Sequence, residues 1–273
     1  MITLIDSTDG VKVALHDFGG TGPTLMFVHA TGFHGWCYEP IARHLTDRFH
    51  VIAPDLRGHG DSVYPAGTSM DWWNMADDVC AAVAHLGSHE PLHAVGHSMG
   101  GASILMAELL RPGTFAGAWM FEPIVIPDMP DRPPSAMSEN ARRRKNHFES
   151  RREAFDRYSS RPPFSAVDPA ALRAYVDHGF SEDPSGGVTL KCPGEIEAQV
   201  FESTVTGLDS RLAEVQTPIT VVQSGDGGMP ATVAPGIADA LPNGKLDTWP
   251  DRSHFGPFED PGRAAAAIGN CFG

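Results

Sequence analysis

The pentapeptide Gly96-His97-Ser98-Met99-Gly100 constrains this chain more than any other stretch. A short apolar run, residues 92–95, leads directly into it and a helix-like stretch, residues 101–110, directly follows, so strand, sharp turn and helix come in order. This is the pattern of a nucleophile elbow. A turn so tight strains the serine backbone, and side chains at positions 96 and 100 would collide with the adjoining strand and helix, so glycine is required at both. Ser98 is thereby lifted out at the carboxyl edge of a sheet. A serine hydroxyl is a weak nucleophile near neutral pH, so the motif demands a base, an orienting acid and an oxyanion site from elsewhere in the chain.

A chain of 273 residues, 41% of them hydrophobic, is long enough to bury a substantial core without a partner. The formal charge of −14 opposes non-specific attraction to nucleic acid or to an anionic membrane surface. Residues 1–10 already carry Asp6 and Asp9, unlike a secretory leader, and no charge-free run is long enough to cross a bilayer. The expectation is a soluble cytoplasmic protein. Cys37, Cys80, Cys192 and Cys271 are widely scattered, without the paired spacing of a zinc site or a disulfide framework, and read as reduced thiols.

Short apolar runs at 11–15, 25–29, 51–53, 92–95, 116–121, 219–222 and 246–249 alternate with helix-compatible stretches at 38–45, 72–86, 103–110, 232–241 and 262–271. Such alternation predicts an α/β fold with a mostly parallel sheet and helices on both faces. The alternation stops after Phe121. From 124 to about 200 the chain is proline-rich, then charged, then proline-rich again, which predicts a helical cap inserted after the sixth strand into a core built from 1–123 and 201–273. One cap helix is expected over 138–158, with a break near Ser150 and with Phe148, Phe155 and Tyr158 on one face. A second begins at Asp168, which can cap, and Pro169, carries the stripe Leu172, Tyr175 and Val176, and exits at Gly179. Arg142, Arg143, Arg144, Lys145, Arg151 and Arg152 form the one strong basic cluster. It reads as a solvated face pairing with Glu139, Glu149 and Glu153, with steering of anionic substrates as the other reading.

Four segments, in order, resemble the capped lipase and esterase branch of the α/β-hydrolase family. They are His29-Ala30-Thr31-Gly32-Phe33, the stretch Pro54-Asp55-Leu56-Arg57-Gly58-His59-Gly60-Asp61-Ser62, the elbow, and the stretch from Ser253-His254-Phe255-Gly256 to Pro261. Together they span nearly the whole chain. His254, between the last strand and the last helix, is expected to be the general base acting on Ser98. His97 and His29 are its rivals, the first on a turn that points neighbours elsewhere, the second within the oxyanion segment.

The acid has two candidates. Most relatives place it after the strand at 219–222, in a Gly-x-x-Asp turn, but counting from Gly225 puts Gly228 there, and the one acid in that turn is Asp226. Glu122, at the end of the preceding strand, is preferred: haloalkane dehalogenases and zearalenone-type lactonases place their acid after this strand, and a carboxylate ending an apolar strand needs a partner such as a histidine N–H. The resemblance puts the oxyanion donors on the backbone of Met99 and Thr31, although Ala30 stands where relatives carry glycine. Asp55, Arg57 and His59 are expected to order their loop rather than bind metal. Trp36, Tyr38, Trp72, Trp73 and Met129 are candidates either for an acyl pocket or for core packing.

These readings converge on hydrolysis of a small-molecule ester or lactone through an acyl-enzyme on Ser98, with no cofactor and no metal. Carbon–carbon bond hydrolysis and cofactor-free perhydrolysis fit the same constellation, and a non-catalytic ligand-binding receptor is the competing class. A serine at the elbow argues against the dehalogenase and epoxide-hydrolase branches, which use aspartate there. Oligomeric state leaves no mark in the sequence.

Overall fold

The computed structural model describes residues 2–87, 92–128 and 135–273. Its main sheet contains β1 (Ile2–Asp6), β2 (Lys12–Gly19), β3 (Thr24–Val28), β4 (His50–Asp55), β5 (Leu92–His97) and β6 (Phe115–Phe121), completed after a long insertion by β10 (Ile219–Ser224) and β11 (Gly244–Trp249). The strand order is β1-β2-β4-β3-β5-β6-β10-β11. β1 and β2 pair antiparallel, as do β2 and β4, and every later pair is parallel.

The central strands are apolar on both sides because helices cover both faces. In β3, Met26 and Val28 join one core with α2 (Trp72–Leu86) and α3 (Met99–Leu110). Leu25 and Phe27 join the opposite core, with α1 (Glu39–Ala42) and α10 (Pro261–Cys271). Strand β1 escapes sequence analysis for the converse reason: Ile2 and Leu4 are exposed and only Ile5 is buried, so little of its apolar content reports on a core.

The insertion after β6 carries α4 (Ala136–Arg142), β7 (His147–Phe148), α5 (Arg151–Ser159), α6 (Pro169–His178), β8 (Phe180–Glu182), β9 (Val188–Leu190) and α7 (Gly194–Glu202). After it, α8 (Met229–Ala240) lies between β10 and β11, and α9 (Gly256–Glu259) follows β11. The insertion is less purely helical than its sequence suggests, since β7, β9 and β8 form a small antiparallel sheet. The helix expected over 138–158 is two short helices. His147 and Phe148 are drawn out to pair with β9, and Ser150 restarts the chain by accepting the Glu153 N–H as an N-cap. Phe148 is buried against Tyr158, and Phe155, which lies under the Arg173 guanidinium, packs with Tyr158 against the same core, so the three aromatics serve one apolar cluster although Phe148 lies outside the helix. The α6 expectation holds in detail: Asp168 accepts the Ala170 and Ala171 N–H groups, and Leu172, Tyr175 and Val176 are buried in the core that continues from the sheet.

Candidate active site

Ser98 stands between β5 and α3 with φ 55° and ψ −119°, a conformation that side chains other than glycine rarely adopt. The glycines around it are close-approach positions. A Cβ on Gly100 would lie 2.0 Å from the Val28 carbonyl oxygen of β3, and one on Gly96 would lie 2.6 Å from Gly101 Cα in α3. The turn is pinned from its far side as well, because the Ser98 N–H donates to the Phe121 carbonyl at 3.0 Å.

Glu122 is the residue directly after Phe121, and it too has positive φ, 46°. Among the described residues Asp9 is the one other non-glycine residue of this kind, so backbone strain gathers at the ends of β5 and β6. The Glu122 side chain is fully buried, a costly place for a carboxylate without partners. Both of its oxygens have one: Oε1 accepts the Ser224 N–H at 2.8 Å and Oε2 meets His254 Nδ1 at 2.6 Å. An ionised carboxylate can only accept, so Nδ1 carries the ring proton and Nε2 is left as the basic nitrogen.

Asp226 lies on the exposed turn after β10 and engages the same histidine differently. Its carboxylate accepts the backbone N–H of His254 at 2.9 Å and that of Gly228 at 2.9 Å, and it does not reach the ring. Burial works to raise its pKa, but the N–H donors of Gly228 and His254 and the Ser224 hydroxyl outweigh that and hold it below the usual carboxylate range.

His97 departs from expectation. Its side chain is buried within the site and its Nε2 donates to the His254 carbonyl oxygen at 2.8 Å. Burial first, then the neighbouring His254, hold it neutral to well below the ordinary histidine value. The sequence signal that could have revealed this is the pairing of β5 with β6, which sets His97 beside Phe121 at the same sheet edge as Glu122.

Thr31 follows β3 and its hydroxyl donates to Met99 Sδ at 3.3 Å, so the two expected oxyanion segments touch. The loop that carries Thr31 is fixed from behind. His59 Nε2 accepts the Gly32 N–H at 3.1 Å, and His29 Nε2 accepts the Leu56 N–H at 2.9 Å. Both rings must be neutral to accept, and burial foremost lowers their pKa values, that of His29 to about 3. Asp55 accepts from His16 Nε2 and from the Gly35 and Asp61 N–H groups, while Arg57 is held by Asp78, Asp9 and Thr8. Their role is to order the loop. His16, Asp55 and Asp61 cluster closely enough to be considered for a cation, but His16 Nε2, both Asp55 oxygens and Asp61 Oδ1 are already engaged by these hydrogen bonds and the Asp61–Lys191 ion pair.

Ser98, Thr31 and His254 line one cavity of about 480 Å³, walled on the opposite side by the insertion. No hydrogen bond joins the Ser98 hydroxyl to the His254 ring in this structure, although both face this space. Its apolar lining comes from Phe33, Phe148, Phe164, Phe201 and Phe255, none of them among the aromatics anticipated for a pocket. Trp36 stacks on His178, Tyr38 and Trp72 are core residues, Trp73 packs beside Arg211, and Met129 lies outside the described residues.

With this geometry in hand, comparison with known proteins is decisive at family level: the profile of the alpha/beta hydrolase family matches residues 25–268. The chain belongs to that family. The bifunctional esterase/perhydrolase DCH of Acinetobacter calcoaceticus is 25% identical over 270 residues, covering 93% of each protein. The probable oxidoreductase EphD of Mycobacterium tuberculosis is 33% identical over 115 residues, a match that takes in 41% of this chain but only 19% of the relative. Among solved structures, E-2-(acetamidomethylene)succinate hydrolase superposes with a TM-score of 0.82 at 21% identity, covering 100% of this chain and 98% of that one, which speaks to the fold. Among the described residues, no helix of this chain is long and apolar enough to cross a membrane.

Proposed function

We propose that this hydrolase cleaves a carboxylic ester or lactone through an acyl-enzyme on Ser98. The observation that carries the reading is the buried Glu122 carboxylate on His254 Nδ1, which leaves Nε2 as a base on the cavity side. In the proposed reaction Nε2 takes the hydroxyl proton as Ser98 Oγ attacks the carbonyl carbon, and Glu122 steadies the imidazolium that forms. Negative charge on the carbonyl oxygen is met by the backbone N–H groups of Met99 and Thr31. The first of these opens α3 and has no partner within its helix. Collapse expels the alkoxide, which takes the proton from Nε2, and a water molecule then repeats the sequence to release the acid. A lactone follows the same course and opens to a hydroxy acid.

Cys37, Cys80, Cys192 and Cys271 are free thiols, three of them buried, which fits a reducing compartment and a cytoplasmic setting. The esterase/perhydrolase name of the relative that matches along 93% of its length lends its weight to ester chemistry over carbon–carbon bond cleavage. Treatment with a fluorophosphonate tests the reading. The expected result is one covalent adduct at Ser98, found by peptide mass spectrometry and abolished in Ser98→Ala; a protein that stays unlabelled is a binding module and not a serine hydrolase.

A further inference from the structure

The basic cluster of the insertion splits into two groups. Between residues 142 and 161, Arg142, Arg144, Lys145, Arg151 and Arg152 each hold a carboxylate: Glu195 and Glu202, Glu197, Glu153, Glu182 and Asp156 respectively. Arg143, Arg157 and Arg161 do not. Arg143 reaches only the neutral Asn140 Oδ1, at 3.3 Å, and Arg157 and Arg161 have no side-chain hydrogen bond or ion pair among the described residues. All three line the cavity that contains Ser98. Glu197 is the one carboxylate in that lining, and it is neutralised by Arg144 at 2.6 Å. In a chain with 34 acidic against 20 basic residues, the cavity lining therefore carries an excess of positive charge, from exposed arginines of which only Arg157 acts on a nearby carboxylate, that of Glu153, and without an ion pair to it.

Guanidinium groups without a carboxylate partner at the open side of a cavity are available, once they shed water, to an anion that enters it, and their planar fork suits a carboxylate. Resting on the ester-cleaving reading above, we propose that the natural substrate carries a free carboxylate at the end remote from the scissile carbonyl, received by Arg157 and Arg161 with Arg143 at the rim. The substrate class is the half-ester of a dicarboxylic acid. The bond that breaks is still the acyl–oxygen bond at Ser98; the remote carboxylate takes no part in proton transfer and serves to orient the acyl chain.

The test compares monomethyl adipate with methyl hexanoate, which differ in a terminal carboxylate against a methyl group, by proton release in a pH-stat. The wild-type ratio of kcat/KM, charged over neutral, is expected to exceed one by about tenfold at low salt and to shrink as sodium chloride is added. Arg157→Ala combined with Arg161→Ala should lower that ratio about tenfold, and the double lysine variant, which keeps the charge but loses the planar fork, should fall between the wild type and the alanine pair. Turnover of methyl hexanoate with a wild-type ratio at or below one, or a ratio indifferent to the alanine pair, overturns the anionic assignment alone. No turnover of either ester, together with no fluorophosphonate adduct, overturns the hydrolytic reading and this inference with it.

Discussion

The ends of β6 and β10 each offer a carboxylate to the same histidine loop, and the two are used in opposite ways. Glu122 is sealed from solvent, holds a strained backbone angle and binds the imidazole ring. Asp226 sits on an exposed glycine-rich turn and binds only the main-chain N–H of His254. One carboxylate sets the ring and the other sets the loop. The contrast teaches that proximity to a histidine does not assign a role; the atom that is bound and the burial of the partner do.

The sharpest way to break this contrast is to exchange each acid for its amide. Glu122→Gln keeps the volume but removes the charge that stabilises the imidazolium and permits the wrong ring tautomer, so kcat should fall on the order of 10⁴-fold under the proposed mechanism. Asp226→Asn retains an acceptor for the His254 N–H, and its loss in kcat/KM should stay within about tenfold. Steady-state kinetics on one ester decides the matter, and a larger loss for Asp226→Asn would exchange the two roles.

Between these extremes lies an effect on stability. His29, His34, His59 and His97 are buried, and burial lowers all four pKa values, to about 3 for His29 and about 4 for His34. In the unfolded chain each takes up a proton near pH 6.5, whereas in the folded chain it remains neutral to lower pH, well lower for His29, His34 and His97. The unfolded state therefore binds more protons across that window, so their contribution to stability is fully present above about pH 6.5 and declines as the pH falls, by up to about 1.4 kcal/mol per pH unit for each histidine. Urea midpoints at pH 7.5, 6 and 5 should decrease in that order. A flat series would mean that these rings are already charged in the fold, and that the Gly32 and Leu56 N–H groups have lost their acceptors.

Much of the sheet is legible in the sequence because its central strands are nearly unbroken apolar runs, and the elbow is legible because two glycines bracket a serine at a strand–helix junction. The Glu122–His254 pair could be named as a candidate from chemistry alone, since a carboxylate ending an apolar strand has to meet a donor. Other features rest on contacts distant in sequence. β7 and β9 are too short and too mixed to show a period, and they exist because Phe148 needs a partner strand. His97 reads as a bystander until the loop of His254 is folded over it. The three arginines without a carboxylate cannot be told from their paired neighbours by sequence, because the carboxylates that claim Arg142 and Arg144 lie more than fifty positions away, in α7.

The anchoring of Glu122 has a consequence for biosynthesis. Its N–H donates to the Val222 carbonyl and its Oε1 accepts the Ser224 N–H, so both clamps come from β10, a hundred residues and more further along the polypeptide. A nascent chain that has already emerged with its serine has neither the imidazole nor the clamp that orders the acid. Under the proposed mechanism Ser98 thus lacks its base during synthesis and becomes competent only when about the last fifth of the protein has zipped into the sheet.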